Sequence, residues 1–326
     1  MEAQKIYLIN NVNEISSFIL NKLEVKPGLC FDEPETSIHY IHKKTTNSDY
    51  YFLRNSQNYP KKAHIKFSDP DKIPFILNPW NGEIFQAPQY KRDKMYLEMD
   101  LFFQAYESII IEFKKADEEI HVIENPIMIE RYNKKLVSYI DKVGQFDIKL
   151  SNQSVNTLNI NENDLLSIPI QHFNFKTKIR DYLGNLKQIE MEMGELKDWR
   201  EIPELKYCSS KGTYLFKFDL NKEISIDDHC VIISIEHVHD VAVVKVNGTE
   251  FSPLLVYPFT QEITSSVKFG ENTVEIDVTP TLRNRLIGYG RQGGENWINH
   301  KNKKEFMPSG LIGPIFIKIV KKVVLL

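Results

Sequence analysis

An all-β fold is the class this sequence predicts: two antiparallel β-sandwich domains, the second jelly-roll-like, with a short N-terminal strand and helix. Three observations predict it. Between Lys211 and Gly288, segments alternate apolar and polar residues and are punctuated by turn signals. Between Ser37 and Phe113, shorter runs of the same kind recur between polar turns. Aromatic residues are also plentiful, with 15 Tyr and 19 Phe, which suits packing on a pleated surface.

Taken in order, residues 5–9 are read as a short strand. Asn13 to Leu23 is read as a helix, because Ile15, Phe18, Ile19 and Leu23 fall on one face and Asn11 or Asn13 can cap it. Pro27-Gly28 ends it. Strands are then expected at Ser37–Ile41 and Tyr50–Leu53, flanking a polar loop His42–Asp49. Further strands are expected at Ala63–Phe67, Pro74–Leu77, Lys94–Leu101 and Ser108–Phe113. Ser68 to Asp71 and Asn78 to Gly82 carry the turn residues between them. About six strands of this length make a small sandwich.

Lys114 to Glu119 is charged and reads as a connector. Gln145–Leu150 reads as a strand and the Asn- and Ser-rich stretch Asn152–Asn163 as a long loop. Leu165–Phe175 and Leu186–Met193 fit strands or irregular chain. In Thr213–Leu220, Tyr214, Phe216, Phe218 and Leu220 share one face. The blurred period of Val231–Glu236 predicts a strand covered on both sides. Val241–Val246 meets Thr249–Phe251 across Asn247-Gly248, a type I′ hairpin signal. Val274, Ile276 and Val278 face inward after a turn at Phe269–Asn272, and Ile315–Val320 is the last strand. The expected domains are 1–30, 31–118 and 119–326.

The formal net charge is −3, from 41 basic and 44 acidic residues. That balance offers no basic surplus for nucleic acid or an anionic membrane, so neither is an expected partner. Cys30, Cys208 and Cys230 form no CxxC pair, which leaves no zinc ribbon or redox motif. The first twenty residues lack a basic start followed by a signal-length apolar run. No stretch reaches the ~20 apolar residues of a membrane helix. The chain is therefore expected to be soluble and to carry no export signal of its own, which leaves its localisation open.

Several motifs, in a shared order, resemble a known family. Lys211 to Phe218, KGTYLFKF, looks like the entry strand of sugar-binding-like sandwiches in glycoside hydrolases. Val241 to Gly248, VAVVKVNG, looks like their hairpin, followed by Pro258-Phe259 and by Gly270 to Ile276. Asn284 to Gly288 and Pro308 to Pro314 narrow the match. Upstream, Ile41 to Thr45, Asp49, Tyr51-Phe52 and Asn55, then the turn Asn78 to Glu83, continue it. The set is similar to the C-terminal region of glycoside hydrolase family 106, the α-L-rhamnosidases, with a galactose-binding-like jelly roll. The order of residues around Trp80 departs from the family's turn.

The resemblance implies that the catalytic carboxylates and metal site belong to a barrel upstream of the matched region. The strand and helix of residues 1–30 then read as that barrel's remnant. The chain is expected to be a non-catalytic accessory region that contacts a rhamnose-containing or related glycan. Two alternatives stand beside this: a free-standing carbohydrate-binding protein, and a subunit completed by a catalytic barrel on another polypeptide. No catalytic residue, metal ligand or cofactor is assigned.

The candidate carbohydrate contacts are His42, Lys44, Asn284, Arg285 and Trp297. His42 and Lys44 belong to the polar loop, which reads more simply as a solvated hairpin. Arg283 to Gly294 and Trp297 read as a long Gly-rich loop, where an aromatic ring can stack on a sugar and Arg or Asn can bond hydroxyls. The simpler reading is an ordered interdomain loop with Arg285 paired to a buried carboxylate. His237 and His239, two apart on a strand, share a face and can approach one ion, but read more simply as structural or solvated. Glycoside hydrolysis needs two carboxyls ~5–5.5 or ~6.5–9.5 Å apart. Glu190, Glu192 and Glu195 show no such spacing signal and read as a solvated face.

Overall fold

The computed structural model describes residues 7–9, 11–22, 27–32, 36–79, 82–132, 134–181, 183–221, 225, 227–292 and 306–325. Two compact units divide the chain: Met1–Leu136 with Asp147–Thr157, and Val137–Phe146 with Leu158–Leu326. The described structure is nearly all β, in antiparallel sheets.

The first unit stacks two sheets around one core. One sheet runs Leu29–Phe31, Lys61–Phe67, Leu97–Phe103, Lys91–Arg92. The other runs Ile38–Lys44, Ser48–Asn55, Ser108–Lys114, Ile73–Leu77, Ile84–Gln86. Leu97, Met99, Leu101 and Phe103 alternate inward along one strand, as a period of two requires. They meet Tyr51, Leu53, Ile111 and Phe113 from the facing sheet. Tyr51 sets its ring edge-on to Phe67 at 5.0 Å and to Phe113 at 5.5 Å.

The polar segment expected as a loop over His42–Asp49 is mostly strand. Ladder pairing continues through Lys43↔Tyr50 and Lys44↔Asp49, which leaves only residues 45–47 to turn. The ladder persists because Asp49 is buried against the core side rather than left in solvent. On the outer face, Ile41, Phe52, Ile110, Leu77 and Ile84 follow one another across all five strands. At the N-terminus, successive helical turns cover Val12–Lys22, and the Asn11 side chain accepts from the Asn13 amide at 3.0 Å. Residues 7–9 are not in a strand.

The second unit is a larger sandwich. One sheet runs Leu186–Met193, Phe173–Arg180, Gly212–Leu220, Gly270–Thr279, Val241–Val246, Thr249–Glu250. In the facing sheet the fifteen-residue strand Gly310–Val324 is central. It pairs on one side with His229–His239 and on the other with Leu166–Ile170 and residues 137–140. Tyr214, Phe216, Val274, Ile276 and Val278 point inward as the alternation predicts, against Val231, Ile233, Ile315 and Ile317. Asn247 and Gly248 both take positive φ, 50° and 88°, which a type I′ turn requires.

Three expectations for this part need correction. Val231–Glu236 is fully covered on one face only, because Ile232, Ser234 and Glu236 alternate outward beside Lys318 and Phe316. Asn152–Asn163 is a turn, the strand Val155–Ile160, whose single buried side chain is Ile160, and the start of a short 3₁₀ turn at Glu162. The Gly-rich segment from Arg283 holds a helix, Arg283–Arg291. Asn284, Ile287 and Gly288 form its buried face at helical spacing. Gly288 permits this approach, since a Cβ there would lie 2.4 Å from the Tyr207 ring.

Candidate functional site

A cleft of about 750 Å³ opens in the second unit. Three separate segments frame it: Ile170 to Phe173, Gly194 to Glu201, and Ile312 to Pro314. Its back wall is rigid for identifiable reasons. Asp198 caps the short 3₁₀ turn Trp199–Glu201 by accepting from the Arg200 amide at 2.9 Å. The same carboxylate takes Arg200 Nε and Nη2, each at 2.7 Å, and the Ser309 amide at 3.3 Å. Trp199 is fully buried and donates to the Tyr214 hydroxyl at 2.6 Å, which in turn accepts from the Leu311 amide at 3.3 Å. Gly310, at φ 90°, passes so close that a Cβ would meet Trp199 Nε1 at 2.3 Å.

Against this wall stand solvent-facing polar groups. Glu195 and Lys197 approach at 3.6 Å with side chains 78% and 55% exposed, and Gln171 and Glu201 complete the rim. Such a rim offers acceptors and donors together, which suits hydroxyl groups. Asp198 spends its oxygens inside the protein, so it is not a free acid for chemistry. Glu190 and Glu192 are exposed on the adjoining strand, and Gln188 donates to Glu190 at 2.6 Å.

Of the residues singled out in sequence, Asn284 and Arg285 lie in this unit on the helix. Asn284 is buried, donates to Met307 O at 2.7 Å and accepts from the Met307 amide at 2.8 Å. Arg285 Nη2 donates to Asp181 O, a backbone partner rather than a carboxylate. Trp297 lies outside the described residues. His237 and His239 stack loosely, with ring centroids 6.4 Å apart. Burial pulls the His239 imidazole below its usual range, against the opposing charge of Asp198. Among the described residues no three His, Cys, Asp or Glu side chains converge as metal ligands do.

His42 and Lys44 lie in the first unit, two apart on the same strand face. His42 stacks flat on Tyr51, at 4.3 Å and 7°. Its Nε2 sits 2.8 Å from Oδ1 of Asp49, which is 1% exposed. Lys72 contacts the other Asp49 oxygen and also Asp69 at 2.9 Å. Burial alone would raise the Asp49 carboxyl. The bonds from Lys72 and His42, with the nearby charges of Lys72 and Lys44, outweigh it and hold the group below the usual carboxylate range. Sequence reasoning singled out His42 and Lys44 as contacts and quoted Asp49 and Tyr51 in a motif, but did not bring Lys72 or Asp69 to them. The turn Ser68–Asp71 was visible, but not the strand it would fold against.

No protein-family model matches the chain. A curated protein of Formosa agariphila, named "Putative beta-glucuronidase", is 26% identical over 162 residues, which are 40% of this chain and 14% of that protein. In space the chain is similar to a rhamnosidase from Novosphingobium sp. PP1Y, with a TM-score of 0.62 at 19% identity. That likeness covers 94% of this chain and 26% of the rhamnosidase. A β-glucuronidase from an uncultured Clostridium sp. matches with a TM-score of 0.33 at 17% identity, over 50% of this chain and 30% of that one. The chain thus spans about a seventh of the curated relative and about a quarter of the rhamnosidase. These similar proteins bear names of glycoside hydrolases, and the fold shared with the rhamnosidase is an antiparallel β-sandwich assembly.

Proposed function

We propose that the chain is an accessory, carbohydrate-contacting region of an α-L-rhamnosidase-like glycoside hydrolase of family 106 type, with no turnover of its own. One observation carries this reading: the likeness in space takes in 94% of the chain but only 26% of the rhamnosidase. The domain partition at residues 30 and 118, with a barrel remnant before it, belongs to the same proposal. So do the contacts assigned to His42, Lys44, Asn284, Arg285 and Trp297. The cleft framed by Gln171, Glu195, Lys197 and Glu201 supports a glycan-contacting role, since its paired donors and acceptors match vicinal hydroxyls.

The partner supplying chemistry would be a catalytic barrel, in the same polypeptide or another. The test is direct. Purified chain is incubated with an aryl α-L-rhamnoside and screened on a panel of rhamnose- and galactose-containing glycans. Binding without release of the aryl alcohol is expected. Release above the buffer blank overturns the non-catalytic reading, and absence of binding to every glycan overturns the carbohydrate contact.

A further inference from the structure

A second cleft, of about 290 Å³, lies in the first unit, in a part of the chain where the sequence reading placed no ligand. Arg131 forms its floor, with a side chain only 4% exposed. The guanidinium is fixed from four sides: Nε donates to Gln86 O at 3.1 Å, Nη2 to Ile120 O at 2.8 Å, and Nη1 to Lys134 O at 3.2 Å and Glu119 Oε2 at 2.7 Å. A planar fork held this way cannot swing, and it holds the Glu119 carboxylate in place. The other Glu119 oxygen and the Lys134 ammonium have no bonding partner among the described residues. Lys134 takes φ 65°, so the turn that projects its side chain is pinned through its own carbonyl.

The walls are apolar and open. Tyr132 is 59% exposed and Ile84 58% exposed. Lys114 already covers the Phe75 ring at 4.3 Å and Phe85 is half-buried, so Tyr132 is the most exposed aromatic face of the lining. Glu83, Glu119, Arg131 and Lys134 balance to no net charge across the lining. An aromatic face, a fixed unpaired acceptor, an unpaired donor and zero net charge together select an uncharged polyol ring. They disfavour a phosphate or a uronate, which would meet Glu119 and Glu83. The volume sits at the lower end of ligand pockets, suited to one ring rather than a chain.

We infer that this cleft is a subsite for a single neutral pyranose, stacked on Tyr132 and bonded through vicinal hydroxyls to Glu119 and Lys134. The inference shares its ligand class with the proposed function but places the ligand in the other unit, at residues that reading does not use. The full chain is titrated with methyl α-L-rhamnopyranoside, methyl β-D-galactopyranoside, methyl β-D-glucuronide and inorganic phosphate, followed by saturation-transfer NMR and calorimetry. A neutral glycoside is expected to bind, weakened roughly five- to tenfold by either Tyr132→Ala or Glu119→Gln, with unchanged circular dichroism. Glu119→Gln keeps the carboxamide oxygen on Arg131, which separates loss of the ligand bond from loss of fold. Unchanged affinity in both variants, or tighter binding of glucuronide or phosphate, overturns the subsite. If Gln171→Ala and Lys197→Ala abolish binding while Tyr132→Ala does not, the subsite falls and the accessory role stands. If no probe binds the wild-type chain, both fall.

Discussion

Replacing Gly310 by alanine should unsettle the second unit far more than the same change at Gly248. The two glycines have nearly equal backbone angles, φ 90° and 88°, so each substitution carries the left-handed penalty of roughly 1 kcal/mol. They differ in what a methyl group meets. At Gly248 nothing lies within 4 Å. At Gly310 the new carbon would sit 2.3 Å from Trp199 Nε1 and 2.5 Å from its Cδ1. Trp199 has no exposed surface and bonds the Tyr214 hydroxyl at 2.6 Å. It can yield only by overpacking its neighbours, at about 1–3 kcal/mol, or by giving up a buried hydrogen bond, at about 1–3 kcal/mol. With no room around Trp199 either route falls at the upper end of its range, so Gly310→Ala should lose about 4 kcal/mol and Gly248→Ala about 1 kcal/mol. For a unit of this size that is a fall in melting temperature of roughly 10 °C against roughly 3 °C. Both residues lie in the same unit, so calorimetry of the full chain reads the same transition for each. Equal losses would refute the argument that close approach to Trp199 is what requires glycine at 310.

Three further outcomes follow from the buried polar groups. The Asp49 carboxyl is held below its ordinary range when folded, so its contribution is present above about pH 4 and lost as pH falls through the folded value. Asp49→Asn should therefore cost about 2 kcal/mol in urea unfolding at pH 7, with the gap to wild type closing below pH 4; a gap independent of pH refutes the ion-pair account. His121 stacks on Tyr90 at 3.7 Å, and burial holds its imidazole below the usual histidine range despite Glu118 nearby. The folded state thus binds the proton less readily than the unfolded one, and stability of the first unit should fall as pH drops from 7.5 through 6.5, a slope that His121→Phe removes. Burial also raises the Cys208 thiol and pushes Cys230 up to about 11. Both should resist iodoacetamide at pH 8 in the native chain and react once urea unfolds it; rapid native labelling of either contradicts its burial.

The legible parts of the fold were those where one strand carries its own evidence. Tyr214, Phe216, Phe218 and Leu220 announce an inward face by alternation, and Asn247-Gly248 announces a hairpin by backbone preference. The helix Arg283–Arg291 was hidden because two of its residues are glycines of low helix propensity. Its buried spacing of Asn284, Ile287 and Gly288 acquires meaning only beside Tyr207 and Met307. The second-unit cleft was likewise invisible, because its walls come from residues near 170, 195 and 313, which no local pattern connects. The Asp49 cluster was half legible: His42 and Lys44 stood out as polar residues between apolar runs, while Lys72 needed the sheet to bring it there.

The strand Gly310–Val324 sets a timetable for synthesis. Its partners begin at Val137, which pairs with Val324, so the central sheet of the second unit cannot close until residue 324 has left the ribosome. The first unit's two sheets need only residues 29–114 and can form much earlier. During that interval the growing chain carries a finished first sandwich beside a half-built second one, whose Tyr214, Val244 and Ile276 have no facing layer. Contacts so distant in sequence form slowly, and an uncovered apolar sheet is the species most exposed to aggregation and to chaperone capture. A chain cut short before Gly310 should therefore aggregate as a whole, and limited proteolysis should release the first sandwich as a soluble fragment.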